Sequence, residues 1–169
     1  RVSVKTGGSI TIPCLYDLKY KTHVKYLCKV GHYTDKASIS DDINKQTFTV
    51  TMTDLEIQLS VTPELYVDQQ EVNGVEGGSV IVKCYYSDTG NRKWWCRIGV
   101  NGSCVERNSV TKVTRQQTTD ATRGNVLMVT MSGLKMENTG WYRCEVGDLM
   151  MPVHITVRRQ KLPHKVPPL

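Results

Sequence analysis

A cysteine-bearing strand is written twice in this chain. Lys25-Tyr26-Leu27-Cys28-Lys29 sets its cysteine fourteen residues after Cys14, and Lys93-Trp94-Trp95-Cys96-Arg97 sets its cysteine twelve residues after Cys84. The match extends upstream, where Gly7-Gly8-Ser9-Ile10-Thr11-Ile12-Pro13-Cys14 lines up with Gly77-Gly78-Ser79-Val80-Ile81-Val82-Lys83-Cys84. Downstream, Asp41 sits nine residues before Val50-Thr51-Met52, and Asp120 sits nine before Val129-Thr130-Met131. Anchors in the same order at two places define an internal repeat, and a repeat has to be settled before any other feature is read. Each unit then reads as one domain.

At 169 residues the length admits one or two domains, and the repeat selects two, each near the ~100-residue size of a small sandwich. Six cysteines in strand-like segments, with no C-x-x-C pairs and no histidines at zinc spacing, favour disulfides in an oxidising compartment, so the protein is expected outside the cell. No apolar run approaches the ~20 residues that cross a bilayer, and no signal peptide opens the chain, which reads as a processed ectodomain or an engineered fragment. The net charge of +6 invites a nucleic-acid reading until it is located. Arg158, Arg159, Lys161 and Lys165 supply four of those charges, while residues 1–66 carry eight basic and seven acidic side chains and residues 67–157 carry ten and nine. The folded part is nearly neutral, so no nucleic-acid partner is expected.

Segments such as Ser79-Val80-Ile81-Val82-Lys83-Cys84 and Asn125-Val126-Leu127-Met128-Val129-Thr130-Met131 are short, β-rich and bounded by turn residues. No stretch holds a 3.6-residue apolar period, so the fold class is all-β, an antiparallel sandwich in each unit. Trp141-Tyr142-Arg143-Cys144 after Asn138-Thr139-Gly140 resembles the immunoglobulin pattern, in which a tyrosine two residues before the second cysteine marks a corner. That resemblance implies a bridge between sheets from Cys84 to Cys144, with Trp94 or Trp95 packed on it. Strand alternation puts only one tryptophan inside. The immunoglobulin pattern, taken to bury the residue two before Cys96, selects Trp94 and leaves Trp95 facing outward or toward a partner.

Cys96 and Cys104 flank Ile98-Gly99-Val100-Asn101-Gly102-Ser103, and Asn-Gly between two strands signals a hairpin that a Cys96–Cys104 bridge would staple. Asn101-Gly102-Ser103 is also the one N-x-[ST] sequon, so Asn101 is read either as a glycan acceptor or as the turn residue of that hairpin. Leu55 to Val61 reads as a last strand and Pro63 as a break. The first domain therefore spans 1–63, the second 64–157, and the proline-rich run 158–169 forms an extended stalk.

The repeat also shows what the first unit lacks. Leu55 and Val61 are six steps apart whereas their counterparts Leu134 and Val157 are twenty-three apart, a deficit of seventeen residues opposite Lys135 to Met151. From Cys28 to Asp41 there are thirteen steps against twenty-four from Cys96 to Asp120. The partners of both Cys14 and Cys28 fall in these deficits, so both are expected unpaired. The sequence reads as joined across missing segments near residues 30–35 and 55–56.

Taken together, G-G-S-[VI]-x-[VI]-x-C, [KR]-[YW]-[LW]-C-[KR], the neighbouring cysteine pair and G-W-Y-x-C resemble the polymeric immunoglobulin receptor family over residues 1–157. The resemblance implies two tandem V-type immunoglobulin domains, as in that family's short two-domain form. It implies an extracellular ectodomain of a single-pass plasma-membrane receptor, itself not inserted in the membrane. Such a receptor captures polymeric immunoglobulin, carries it across epithelium and is released by cleavage as secretory component, a role in mucosal immunity. In the family the first domain makes the main contact through loops at one end, and the matching loop here is Asp17 to Lys25. Its Tyr20 offers a rigid amphipathic anchor, and Lys19, Lys21, Thr22, His23 and Lys25 offer polar and charged contacts. The plain alternative is a solvated loop. Leu27 stands where the family has tryptophan. Asn138 stands where it usually has Asp, which reduces an expected pairing with a basic residue such as Arg115 to a hydrogen bond.

Similar V-type domains occur in the leukocyte mono-Ig-like receptors, so a receptor for lipid headgroups or another cell-surface ligand is the alternative function, and a homophilic adhesion module is a third. An enzyme is not expected. There is no G-x-S-x-G, no H-E-x-x-H and no phosphate-binding glycine loop. His23, His32, His154 and His164 are scattered, so neither a metal site nor a cofactor is expected. The paired acids Asp41-Asp42 read as turn residues.

Overall fold

The computed structural model describes residues 8–23, 25, 36–53, 64–87, 92–105 and 111–160. Twelve strands carry it: β1 (Ile10–Leu15), β2 (Lys36–Asp42), β3 (Thr47–Thr53), β4 (Leu65–Val67), β5 (Glu71–Val75), β6 (Ser79–Tyr86), β7 (Lys93–Ile98), β8 (Cys104–Val105), β9 (Lys112–Asp120), β10 (Gly124–Ser132), β11 (Gly140–Val146) and β12 (Leu149–Arg158). Cys28, the strand expected over 55–61, both expected junctions and residues 161–169 of the stalk lie outside the described residues.

Residues 64–160 form a β-sandwich of a four-stranded sheet in the order β4-β6-β10-β9 and a five-stranded sheet in the order β5-β12-β11-β7-β8. The alternation of β6 shows why: Val80, Val82 and Cys84 are buried while Ser79, Ile81 and Lys83 face water, the period-2 signature of a strand with one wet face. Val129, Cys84, Cys144, Val153 and Ile155 are completely or almost completely buried at the centre. Each fully buried aliphatic side chain contributes about 1.5–3 kcal/mol by removal from water. Cys84 and Cys144 are joined across the sheets with their Cα atoms 6.5 Å apart.

The tryptophan on this bridge is Trp95, not the expected Trp94. Trp95 is 2 % exposed and stacks on Tyr142 with ring centroids 5.4 Å apart and planes 6° apart. The register explains the correction, because Trp95 lies directly opposite Cys144 in the β7–β11 pair, and directly opposed residues share a face. Cys96 and its partner Cys104 lie on the other face. The core tryptophan is therefore the immediate neighbour of Cys96, and Trp94 is the outward one, opposite Glu145.

An N-terminal sheet in the order β1-β3-β2 repeats the β6-β10-β9 part of the four-stranded sheet. Ile10↔Met52, Ile12↔Val50 and Cys14↔Phe48 in β1–β3 reproduce Val80↔Met131, Val82↔Val129 and Cys84↔Leu127 in β6–β10. The aspartate anchor shifts by one residue. Asp42 closes its hairpin by accepting from the Lys45 amide at 3.2 Å, as Asp120 accepts from the Thr122 and Arg123 amides. Asp41 is therefore not a turn residue and takes a different task. The Lys45 ammonium, 3.1 Å from Asp42, and then the Lys45 amide hold the Asp42 carboxyl below the usual carboxylate range, and the Thr122 amide first does so at Asp120.

The N-terminal sheet is tied to the sandwich through Gln70. Its side-chain Oε1 accepts from the Thr11 amide at 2.9 Å, and its Nε2 donates to the Thr11 carbonyl at 3.1 Å and to the Pro152 carbonyl at 2.8 Å. A side-chain amide thus pairs with the edge of β1 as one residue of a neighbouring strand would. Beside it Ile10 is 3 % exposed and belongs to the same buried cluster as the sandwich core, with Ile12 and Met52 packed against that cluster.

Candidate functional site

After β1 the chain turns through a short 3-10 helix, Leu18–Tyr20. Asp17 caps it, its side chain accepting from the Lys19 amide at 3.3 Å, the usual device for satisfying free N–H groups at a helix start. The turn continues through Lys21 N to Leu18 O at 3.0 Å and His23 N to Tyr20 O at 3.1 Å. This winding turns Leu18, Lys19, Tyr20, Lys21, Thr22 and His23 outward, all exposed, with Leu18 at 62 % and Tyr20 at 45 %. Lys19 Nζ lies 4.9 Å from the Tyr20 ring centroid, and His23 meets the same ring edge-on at 5.4 Å. One aromatic ring thus organises a cation and an imidazole on a single projecting knuckle.

Lys25 stands apart from these five expected contact residues. Its Nζ donates to the Lys21 carbonyl at 2.8 Å, pairs with Asp41 at 3.1 Å with only 10 % of the side chain exposed, and lies 4.3 Å from the Tyr16 ring centroid. The other Asp41 oxygen accepts from the buried Tyr16 hydroxyl at 2.8 Å. Asp41 therefore holds a lysine and a tyrosine together beneath the turn, and Lys25 is the post on which the turn sits. Desolvation, then the neighbouring Asp41 carboxylate, push the Tyr16 hydroxyl above its ordinary pKa. The same pairing recurs in the sandwich, where Lys93 Nζ stands 5.2 Å from the Tyr86 ring centroid. Lys25 and Lys93 occupy matching places in the two repeated strands, as do Tyr16 and Tyr86.

Cys14 is a half-buried free thiol, and burial pushes its pKa up. Cys96 and Cys104 are bridged across the β7–β8 hairpin. In the turn between them Asn101 at φ 60° and Gly102 at φ 70° adopt the positive angles that an Asn-Gly turn requires, and Asn101 is exposed. Cys96, Cys104 and Glu145 lie close enough to hold an ion, but both sulfurs are spent in the disulfide and no thiolate is left to ligate. Among the described residues no helix is long and apolar enough to cross a membrane.

Compared with known families, residues 67–161 match the sequence model of the immunoglobulin V-set domain, a stretch that makes up more than half of the chain. The chain belongs to the immunoglobulin V-set family. The polymeric immunoglobulin receptor of Rattus norvegicus is 33 % identical over 88 residues, 46 % of this chain and 11 % of that protein. The high affinity immunoglobulin alpha and immunoglobulin mu Fc receptor of Mus musculus is 31 % identical over 101 residues, 51 % of this chain and 19 % of that protein. The chain therefore spans well under a quarter of the length of these relatives. Among solved structures, a teleost fish polymeric Ig receptor ectodomain aligns with 95 % of this chain and 99 % of its own, at 28 % identity and a TM-score of 0.46.

Within the V-set sandwich the tyrosine corner is built from Tyr142, whose hydroxyl donates to the Asn138 carbonyl at 3.0 Å. Asn138 itself is 3 % exposed, and its Oδ1 accepts from Thr111 Oγ1 and from the Lys135 amide, both at 2.7 Å. The partner expected for it, Arg115, instead donates to the Trp95 carbonyl at 3.2 Å. Two neutral groups, Thr111 and Asn138, thus close the corner without a buried charge, which removes the desolvation cost of an ion pair. Beside them Arg97 donates to the carbonyls of Glu137 at 2.7 Å and Thr139 at 2.9 Å. Gly140 permits this approach, since a Cβ there would stand 2.8 Å from the guanidinium.

Proposed function

We propose that this chain is the ectodomain of a cell-surface receptor that binds polymeric immunoglobulin, built as two tandem V-type domains in the manner of the short polymeric immunoglobulin receptor. In this reading the first domain spans 1–63, the second 64–157 and the stalk 158–169. The ectodomain lies outside the cell, ferries its ligand across epithelium from a membrane-anchored form, and is released by cleavage. The observation that carries the reading is the projecting knuckle Leu18–His23: an exposed aromatic flanked by lysines on a turn fixed from below, at the loop that corresponds to the family's contact loop. An exposed tyrosine supplies contact area at low entropic cost, and the lysines supply steering toward acidic surface. The 33 % identity to the rat receptor and the 31 % identity to the mouse Fc receptor both support an immunoglobulin ligand.

The reading is tested by surface plasmon resonance of the chain against polymeric and monomeric immunoglobulin. Preference for the polymer is expected. Lys19→Glu with Lys21→Glu should slow association most, and Tyr20→Ala should speed dissociation. Equal or absent binding to both immunoglobulin forms, together with affinity for anionic lipid vesicles, would overturn the reading in favour of a lipid-recognising leukocyte receptor.

A further inference from the structure

We propose that the outer face of the five-stranded sheet carries a separate binding groove for a hydroxylated anion, an acidic sugar or a sugar phosphate. The groove is open to solvent, has a volume of about 510 Å³ and is lined by Arg92, Trp94, Cys104, Glu145 and Gly147. That volume falls in the range of small-ligand sites and leaves room for a molecular body beside a charged group.

The charge follows from the arginines. Arg92 Cζ lies 4.3 Å from the Trp94 ring centroid, and Arg115, reaching across from β9, lies 5.0 Å from it. A guanidinium laid against an indole keeps its in-plane N–H donors available for an oxyanion. Among the described residues neither arginine has a carboxylate partner. The acid in the groove, Glu145, is engaged by Arg143, whose Nε lies 2.5 Å from Oε1. Arg115 donates to the Trp95 carbonyl, so among the described residues Arg92 is the groove's guanidinium without a carboxylate, and it selects a negative group.

The hydroxyls follow from Glu145. Glu145 lines the groove, and its second oxygen makes no hydrogen bond among the described residues, so it offers an acceptor that would repel a bare anion and welcome an O–H donor on the same molecule. Trp94 adds an apolar surface. A ligand that satisfies all three carries an oxyanion, hydroxyl donors and a carbon skeleton. The site is also pre-organised: Trp94 and Glu145 are directly opposed on β7 and β11, and the Cys96–Cys104 bridge fixes the Cys104 wall. Groups held on strands lose little freedom on binding.

Trp94 is one of three tryptophans, so its response is the part of the fluorescence change that Trp94→Leu removes. The full chain is titrated with N-acetylneuraminic acid and with myo-inositol phosphate, galactose serving as the neutral control, and followed by tryptophan fluorescence and ligand-observed NMR. Saturable binding of at least one anion is expected, weakened about tenfold or more by Arg92→Gln through loss of a charge-assisted contact, with no saturation by galactose. Saturation by the carboxylate sugar alone identifies that source, and saturation by the phosphate alone identifies the other. The proposal fails if neither anion saturates, if galactose matches them, or if Arg92→Gln leaves the curves unchanged. Should Arg92→Gln fold poorly, Trp94→Leu carries the same test by NMR.

Discussion

Replacing Gln70 by Ala removes three hydrogen bonds at once, two to the backbone of Thr11 and one to the carbonyl of Pro152. Each is worth about 0.5–1.5 kcal/mol net, and an acceptor left unpaired in a buried place costs more. Pro152 is buried, so water replaces that partner poorly. The expected loss is about 2–4 kcal/mol for the contact between the N-terminal sheet and the sandwich. Gln70→Glu sharpens the argument, because it keeps the shape and the acceptor for the Thr11 amide but turns both donors into acceptors facing carbonyl oxygens. The introduced carboxyl has its pKa raised by burial and by those carbonyls. A raised folded pKa contributes stability that is present below the unfolded value and is lost as pH rises through the folded one. The deficit against wild type should therefore narrow as pH falls through the raised folded value and be smallest below about pH 4, near the ordinary glutamate pKa. Hydrogen exchange read at the Thr11 amide, alongside urea unfolding, measures both effects. Wild-type exchange at Thr11 and an unchanged urea midpoint in Gln70→Ala would refute the view that this side chain holds the sheet in place.

Trp95→Ala should cost about 3–5 kcal/mol and abolish the near-ultraviolet circular dichroism of the Trp95–Tyr142 stack, while Trp94→Ala should cost well under 1 kcal/mol. Asn138→Ala leaves the buried Thr111 hydroxyl and the Lys135 amide without their acceptor and should lower stability by about 2–4 kcal/mol in urea. Removing the Cys84–Cys144 bridge, which closes a span of 60 residues, should destabilise by roughly 4 kcal/mol. The 8-residue Cys96–Cys104 span is worth closer to 2.5 kcal/mol by the loop-entropy relation, and thermal unfolding of the paired serine variants checks the order. Tyr16 has a raised pKa, so its contribution is complete below about pH 10 and is lost as pH climbs through its folded value. An alkaline absorbance titration of wild type against Tyr16→Phe should show the missing phenol as a late-titrating one.

Features written as short-range spacing were legible in the sequence. The repeat, the strand period and the Asn-Gly turn each depend on residues close together, and β1–β3 pairs in the register that the repeat implies. Features that depend on which face a residue occupies were less legible. Choosing Trp95 over Trp94 needed the position of Cys144 across the β7–β11 pair, since two adjacent tryptophans are equivalent until a partner strand assigns the faces. Asp41 and Asp42 were indistinguishable for the same reason, and the hairpin length decided between them. Gln70 left no local signal at all, its partners lying 59 and 82 residues away. Lys25 was visible as a charge in the right loop, and its anchoring role could have been suspected from the tyrosine that precedes both repeated strands.

The pairing of β5 with β12 gives the sandwich a mechanical character. These strands run parallel from His154↔Glu71 to Arg158↔Val75, with Glu71 at the start of one and Arg158 at the end of the other, while β4 precedes β5 along the chain and pairs with β6 in the other sheet. Tension applied at those two points draws the strands past each other along their length, so the ladder bonds share the load and must rupture together. An antiparallel pair pulled from adjacent ends would open one bond at a time, at much lower force. Resistance to forced unfolding is set by the height of that rupture barrier rather than by equilibrium stability. A pull along this pair is thus borne by all of its ladder bonds together.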